Sequence, residues 1–185
     1  MFILALAAAV ILGYLIGGNI KNLSTVQLKG AYLILLGFLI EFIINMLITR
    51  GYMTSGPITF MMDVIMYSLL FAFVFANRTS LYLMIMGAGF ILNAIAIFSN
   101  GGSMPVSEYA IQLTRITSDI HKEGLYTLIG DQTKFKVLCD FIPINFIGSF
   151  VVSIGDIISA IGMILFIVTA MKSNKKIENK VLKEI

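Results

Sequence analysis

The sequence predicts an all-α membrane protein: five transmembrane helices, N-terminus out and C-terminus in, with a short-helical extracytoplasmic cap between the fourth and fifth. Three observations predict it. First, of 185 residues 58% are hydrophobic and only 12% are charged, where a soluble domain carries about 25% charged residues. A globule of this size could not cover its surface with so few charges. Second, apolar runs recur along the chain, each close to the roughly 20 residues that a membrane crossing needs. Third, one sizeable polar region, 100–144, separates the last two runs, and a lysine-rich stretch, 172–185, follows the final one.

The first apolar run covers 2–18. It lacks the basic residues that open a secretory signal, so it reads as a retained span. Ala5, Ala9, Gly13 and Gly17 recur every four residues and give it one smooth face. Small residues at this spacing let helix backbones approach closely in lipid. That face suits packing on another span of the same chain, a homodimer contact, or a partner helix. Lys21 and Lys29 mark the turn before the second span, 30–49. The third, 58–76, follows the turn 50–57, and the fourth, 81–99, follows Asn77-Arg78-Thr79-Ser80. The fifth is 145–171. Gly87 with Gly89, and Gly155 with Ser159, mark further close contacts. Lys and Arg near span ends set orientation. Eight of them fall on the side of the C-terminal tail and five on the other side, where the long 100–144 region holds four bases against five acids.

The cap opens with Asn100-Gly101-Gly102-Ser103-Met104-Pro105-Val106-Ser107. Pro105 disfavours helix, and the glycine pair permits backbone conformations closed to other residues. Ser107 can cap a helix whose apolar side is Tyr109, Ala110, Ile111, Leu113, Ile116 and Ile120, ending near Gly124. A short apolar patch, 125–129, and a Gly130-Asp131 turn follow. Such helices either lie on the membrane surface or dip into it. No internal repeat of the transporter kind is present.

An ionisable residue within a span costs about 2.5–3.5 kcal/mol on insertion scales, so its default reading is functional or paired. Glu41 lies in the second span with Asn45 one turn later, Asp63 in the third, and Asp156 in the fifth, within Ser153-Ile154-Gly155-Asp156. Asn93 adds a neutral polar group in the fourth span, and Asn100 stands at its end. By the expected topology Glu41, Asp63, Asn93 and Asp156 fall in the cap-side half or near the midplane, Asp156 deepest. No basic residue lies inside a span to neutralise them. The pattern predicts an outward-facing polar cavity roofed by 100–144, with Glu41, Asp63, Asn93, Asn100 and Asp156 as ligand-binding residues. Plainer readings stand beside it: Asp63 solvated at the interface, Glu41 and Asn45 a hydrogen-bonded pair, Asn100 a helix C-cap. His121 reads as a surface residue and the methionines as packing filler.

No HExxH, Walker A, GxGxxG or GxSxG pattern is present, and no catalytic residue is assigned. A single cysteine, Cys139, leaves no internal disulfide or CxxC site, and a single histidine leaves no bis-histidine haem within one chain. No cofactor or metal is expected. A net charge of +3 without a basic, aromatic-interleaved patch argues against nucleic acid, which leaves the lipid bilayer as the expected partner.

The run 100–106, with Asp140-Phe141-Ile142-Pro143 and Ser153-Ile154-Gly155-Asp156, resembles a family of small bacterial integral membrane proteins that share a domain of unknown function. The resemblance implies a multi-pass protein of the bacterial cytoplasmic membrane and transfers no activity. The leading functional reading is binding or transport of a small cationic, protonated or lipid-like ligand. Two others stay open: a non-catalytic accessory, assembly or sensor subunit, and an intramembrane enzyme using carboxylates that converge from separate spans.

Overall fold

The computed structural model describes residues 2–54, 56–114, 126–145 and 148–172. The elements run α1 (Phe2–Leu15), a 3-10 turn (Ile20–Thr25), α2 (Ala31–Thr49), α3 (Pro57–Ala76), α4 (Leu81–Ser99), β1 (Met104–Val106), α5 (Glu108–Thr114), β2 (Tyr126–Leu128), a second 3-10 turn (Lys136–Leu138), β3 (Ile142–Ile144), β4 (Phe150–Val152) and α6 (Ile154–Lys172). Four helices, α2, α3, α4 and α6, are long and apolar enough to cross a membrane. α1 is as apolar but has 14 residues. At about 1.5 Å per residue it reaches about 21 Å, short of a hydrocarbon core of about 30 Å.

The helices pack in the order α2, α3, α4, α6, α1. The α4–α6 contact is the most extensive, and small residues explain why. A Cβ added at Gly89 would strike Ser159 and the Gly155 carbonyl, and one at Gly155 would strike Asn93. One at Gly162 would strike the Met86 backbone. The two backbones therefore touch along the seam, and the Ser159 hydroxyl donates to the Met86 carbonyl at 3.2 Å. Gly87 performs the same service for α3, where an added Cβ would meet Val74 at 2.6 Å.

The small face of α1 is covered by its own chain. Ala5, Ala9 and Gly13 are buried, and a Cβ on Gly13 would collide with Met171 of α6. Gly17 lies beyond the helix, with a left-handed φ of 80°. The intrachain packing expected of this stripe is thus present for its helical members. The Asn22 side chain and the Asn19 backbone both donate to the Met171 carbonyl, at 2.7 and 2.9 Å, clasping the end of α6. At the same end of the bundle Asn77 bonds the Lys29 backbone in both directions, at 2.8 and 3.0 Å.

Two expectations need correction. The last span does not begin at 145: residues 142–144 and 150–152 form an antiparallel hairpin, Ile142 opposite Val152, and the helix starts at Ile154. The apolar run is continuous through both, and a short apolar run does not distinguish a strand from a helix. Asp156 is therefore in the first turn of α6 rather than deep within a span. The cap, moreover, is not simply helical. β1 and β2 pair in parallel, Met104 opposite Tyr126, and Val106 bridges to Asp140. The expected Ser107 cap is present, its hydroxyl accepting from Ala110 N at 3.3 Å, but α5 covers only Glu108–Thr114. Arg115, Ile116, Ile120, His121 and Gly124 lie outside the described residues.

Candidate functional site

At the cap end of the bundle a cavity of about 120 Å³ lies between α2, α3, α4, α6 and the cap. Four carboxylates line it, Glu41, Asp63, Asp140 and Asp156, with Asn93, Tyr67, Tyr126, Phe2, Phe38 and Phe90. No Lys, Arg or His is among the described residues that line it.

Each acid arrives from a different element. Glu41 comes from the cap-side half of α2 and is exposed. Asp63 comes from the second turn of α3 and is buried, with 5% of its surface accessible. Asp156 is half-buried, and its position follows from how α6 begins. Ser153 caps the helix, its hydroxyl accepting from Asp156 N at 2.9 Å, while Asp156 Oδ2 accepts from Ser153 N at 3.2 Å. This is the reciprocal capping box, here S-x-x-D, which satisfies two otherwise orphaned helix N–H groups. Asn93 of α4 threads the same pair. Its Nδ2 donates to Asp156 Oδ1 at 2.9 Å, and its Oδ1 accepts from the Ser153 hydroxyl at 2.7 Å. The glycine at 155 lets Asn93 approach this closely.

Asp140 comes from the cap; in the sequence it belongs to a motif that carries the family resemblance but not to the expected ligand-binding residues. Its backbone is fixed on both sides by β1: its N–H donates to the Pro105 carbonyl at 2.9 Å and its carbonyl accepts from Ser107 N at 2.8 Å. The side chain is 4% accessible, and Oδ1 is buried with no hydrogen-bond partner among the described residues. Burial, with the Asp156 charge adding to it, pushes its carboxyl up from 3.8 to about 8. The sequence signal was faint but present: Leu138-Cys139-Asp140-Phe141-Ile142 sets one acid in an apolar run inside the polar region.

The run 100–106 forms the roof. Gly101 and Gly102 take left-handed φ values of 80° and 91°, and Gly102 N returns to the Ile97 carbonyl at 2.9 Å. Gly102 and Met104 line the cavity, and a Cβ on Gly102 would meet the Phe60 ring at 2.6 Å. Asn100 does not line it. Its Nδ2 donates to the Ala96 and Lys134 carbonyls at 2.7 and 3.0 Å, and its Oδ1 accepts from Lys134 N at 2.9 Å. Asn100 ties the end of α4 to the cap, the plainer reading of that residue. Asn45 lines a separate recess with Phe42 and Arg50.

Where the first and last members of the packed series would meet, α1 touches α2 through Phe2 and Phe38, with ring centroids 5.7 Å apart. Both rings line the cavity beside Glu41. No group of three or more His, Cys, Asp or Glu among the described residues stands close enough to hold a metal ion.

Fold and site together define a small multi-helix membrane protein, with four helices of membrane length and an acid-lined cavity under a cap of short strands. The chain belongs to DUF5317, a family of unknown function, whose match covers residues 25–168. It is 32% identical over 170 residues to an uncharacterised protein of Thermotoga maritima, covering 91% of this chain and 88% of that one. No solved structure matches it.

Proposed function

We propose that this protein binds a small cation in the cavity between bundle and cap. One observation carries the reading: four acids from four separate elements line one small space without a basic side chain among the described residues to neutralise them. Carboxylates gathered in a confined site of low polarity repel one another, and a bound cation relieves both that repulsion and the cost of burial. Carboxylates scattered over separate helix faces would have favoured a docking subunit instead. The gathering supports a ligand site.

The topology belongs to the same proposal. α1 is the fifth membrane segment, set short against α6, so that the cap and cavity face outward and the lysine-rich tail inward in a bacterial cytoplasmic membrane. Passage of the ligand across the membrane is a further step of this reading.

The test is thermal unfolding of the purified protein in lipid nanodiscs across a series of monovalent and divalent chlorides, alkylammonium chlorides included. A ligand that binds only the folded state raises the melting temperature by mass action, by about 2.7 kcal/mol of stability at a concentration 100 times Kd. A concentration-dependent rise that Glu41→Gln and Asp63→Asn each diminish supports the reading. Equal melting temperatures in every salt overturn it.

A further inference from the structure

We infer, resting on the cation reading above, that the occupant is a small organic ammonium bearing N–H groups, anchored on Asp140, rather than a metal ion. Four observations converge on it. The first is Asp140 itself. It lines the cavity, is 4% accessible, and keeps Oδ1 buried without a hydrogen-bond partner among the described residues. A buried carboxylate oxygen left unmet is an unfavourable arrangement, which a ligand N–H brought within reach of this side chain corrects. The Asp156 oxygens, by contrast, already accept from Asn93 Nδ2 at 2.9 Å and Ser153 N at 3.2 Å.

The second is the spread of the acids. They surround the space without forming a group of three ligands close enough for a metal ion. Hard metal cations want several oxygens in a tight shell. A larger, softer cation is matched by acids at its periphery.

The third is the wall. Phe2, Phe38, Tyr67, Phe90 and Tyr126 line the same space. Ring faces attract ammonium groups, most strongly where water is excluded. The desolvation cost of an ammonium is smaller than that of a compact metal ion, so a ring-lined wall suits it better.

The fourth is size. The cavity, at about 120 Å³, is slightly smaller than the roughly 150 Å³ cavity that accepts benzene. It therefore takes a cation of a few heavy atoms, such as methylammonium or ethylammonium. A quaternary ammonium satisfies the rings and offers Asp140 no hydrogen.

Isothermal titration of the full chain in nanodiscs, at about pH 9 where the Asp140 carboxyl is ionised and the alkylammonium largely charged, tests this. The probes are the chlorides of ethylammonium, tetramethylammonium, sodium, potassium and magnesium. Ethylammonium is expected to bind at least about tenfold more tightly than the others, Asp140→Asn to lower its affinity about tenfold or more, and Phe38→Leu to lower it severalfold. If Asp140→Asn does not fold, the selectivity of the unaltered protein and the Phe38→Leu variant decide the matter. Sodium, potassium or magnesium binding as tightly as ethylammonium overturns the inference and leaves the cation reading standing. So does tetramethylammonium binding equally well, or a folded Asp140→Asn protein with unchanged ethylammonium affinity. Binding of no cation at all removes the cation reading, and the inference with it.

Discussion

The seam between α4 and α6 and the junction between α1 and α2 close one bundle by opposite means. At the seam, Gly89, Gly155 and Gly162 bring backbone against backbone and leave no room for a single added carbon. At the junction two aromatic rings meet at 5.7 Å, and space remains beside them. The cavity lies next to the junction, with Asn93 and Asp156 on the seam forming its fixed wall, held from behind by Ser153. The contrast shows how residue size allots space in a helix bundle. Glycine spends none, so an asparagine on one helix can hold the first turn of another. Large side chains meeting only at their tips leave a hollow.

Breaking the seam should have the largest effect. Gly155→Val drives a branched side chain into Asn93 and the Gly89 backbone, neither of which can step aside. Overpacking of this kind costs about 1–3 kcal/mol and more against backbone. The variant is expected to lose its monodisperse peak in size-exclusion chromatography, and a wild-type profile would show that the seam is looser than described. Asn93→Ala comes next. It strips partners from both Asp156 and the Ser153 hydroxyl, and a lost bond to a charged group is worth about 1.5–3 kcal/mol. Melting should fall while ligand binding weakens. Third, on the proposed function, Glu41→Gln and Asp63→Asn should each lower cation affinity about tenfold, about 1.4 kcal/mol, while leaving the seam intact and not lowering the unliganded melting temperature.

The fourth prediction concerns pH. Asp140 faces Asp156, Glu41, Asp63, Tyr67 and Tyr126 across the cavity, and its carboxyl is raised from 3.8 to about 8. Below about 8 the proposed ligand must displace a proton, so alkylammonium affinity should climb with pH, by up to about tenfold per unit, and level off above. Stability runs the other way. The folded state holds a proton that the unfolded state has released, so this contribution is fully present below about 3.8 and is lost as pH rises through about 8. Asp140→Asn should flatten both profiles. The smallest effect is expected at Gly37→Ala, where α2 packs on α3. There the new methyl meets the Leu70 Cδ2 at 3.0 Å, the movable end of a side chain, with the Leu70 Cγ at 3.4 Å and the Met66 carbonyl at 3.7 Å in ordinary contact. A change of about 0.5 kcal/mol or less in a melting curve would confirm the contrast.

Much of this was legible in the sequence because lipid makes unusual residues conspicuous. Glu41, Asp63 and Asn93 stand out within apolar runs, and all three line the cavity. Asp140 did not stand out, because it sits in a polar region where an acid is unremarkable. Its burial depends on β1 pairing with residues far along the chain. Strands of three residues leave no periodicity to read. Asp156 was placed too deep because hydropathy ran straight through the β3–β4 hairpin, yet Ser153-x-x-Asp156 was there as a helix-start signal. Because Asp156 holds that start, replacing it would disturb α6 as well as the cavity, which makes Glu41 and Asp63 the cleaner probes.

The double clamp on the Asp140 backbone has a mechanical consequence. Because Pro105 and Ser107 grip it on either side, the carboxylate travels with β1 as one body, tethered to α4 through the Gly101-Gly102 joint. Whatever engages that carboxylate together with an acid of the bundle acts as a rivet between roof and walls. On the proposed function, occupancy then favours the arrangement in which roof and walls are joined.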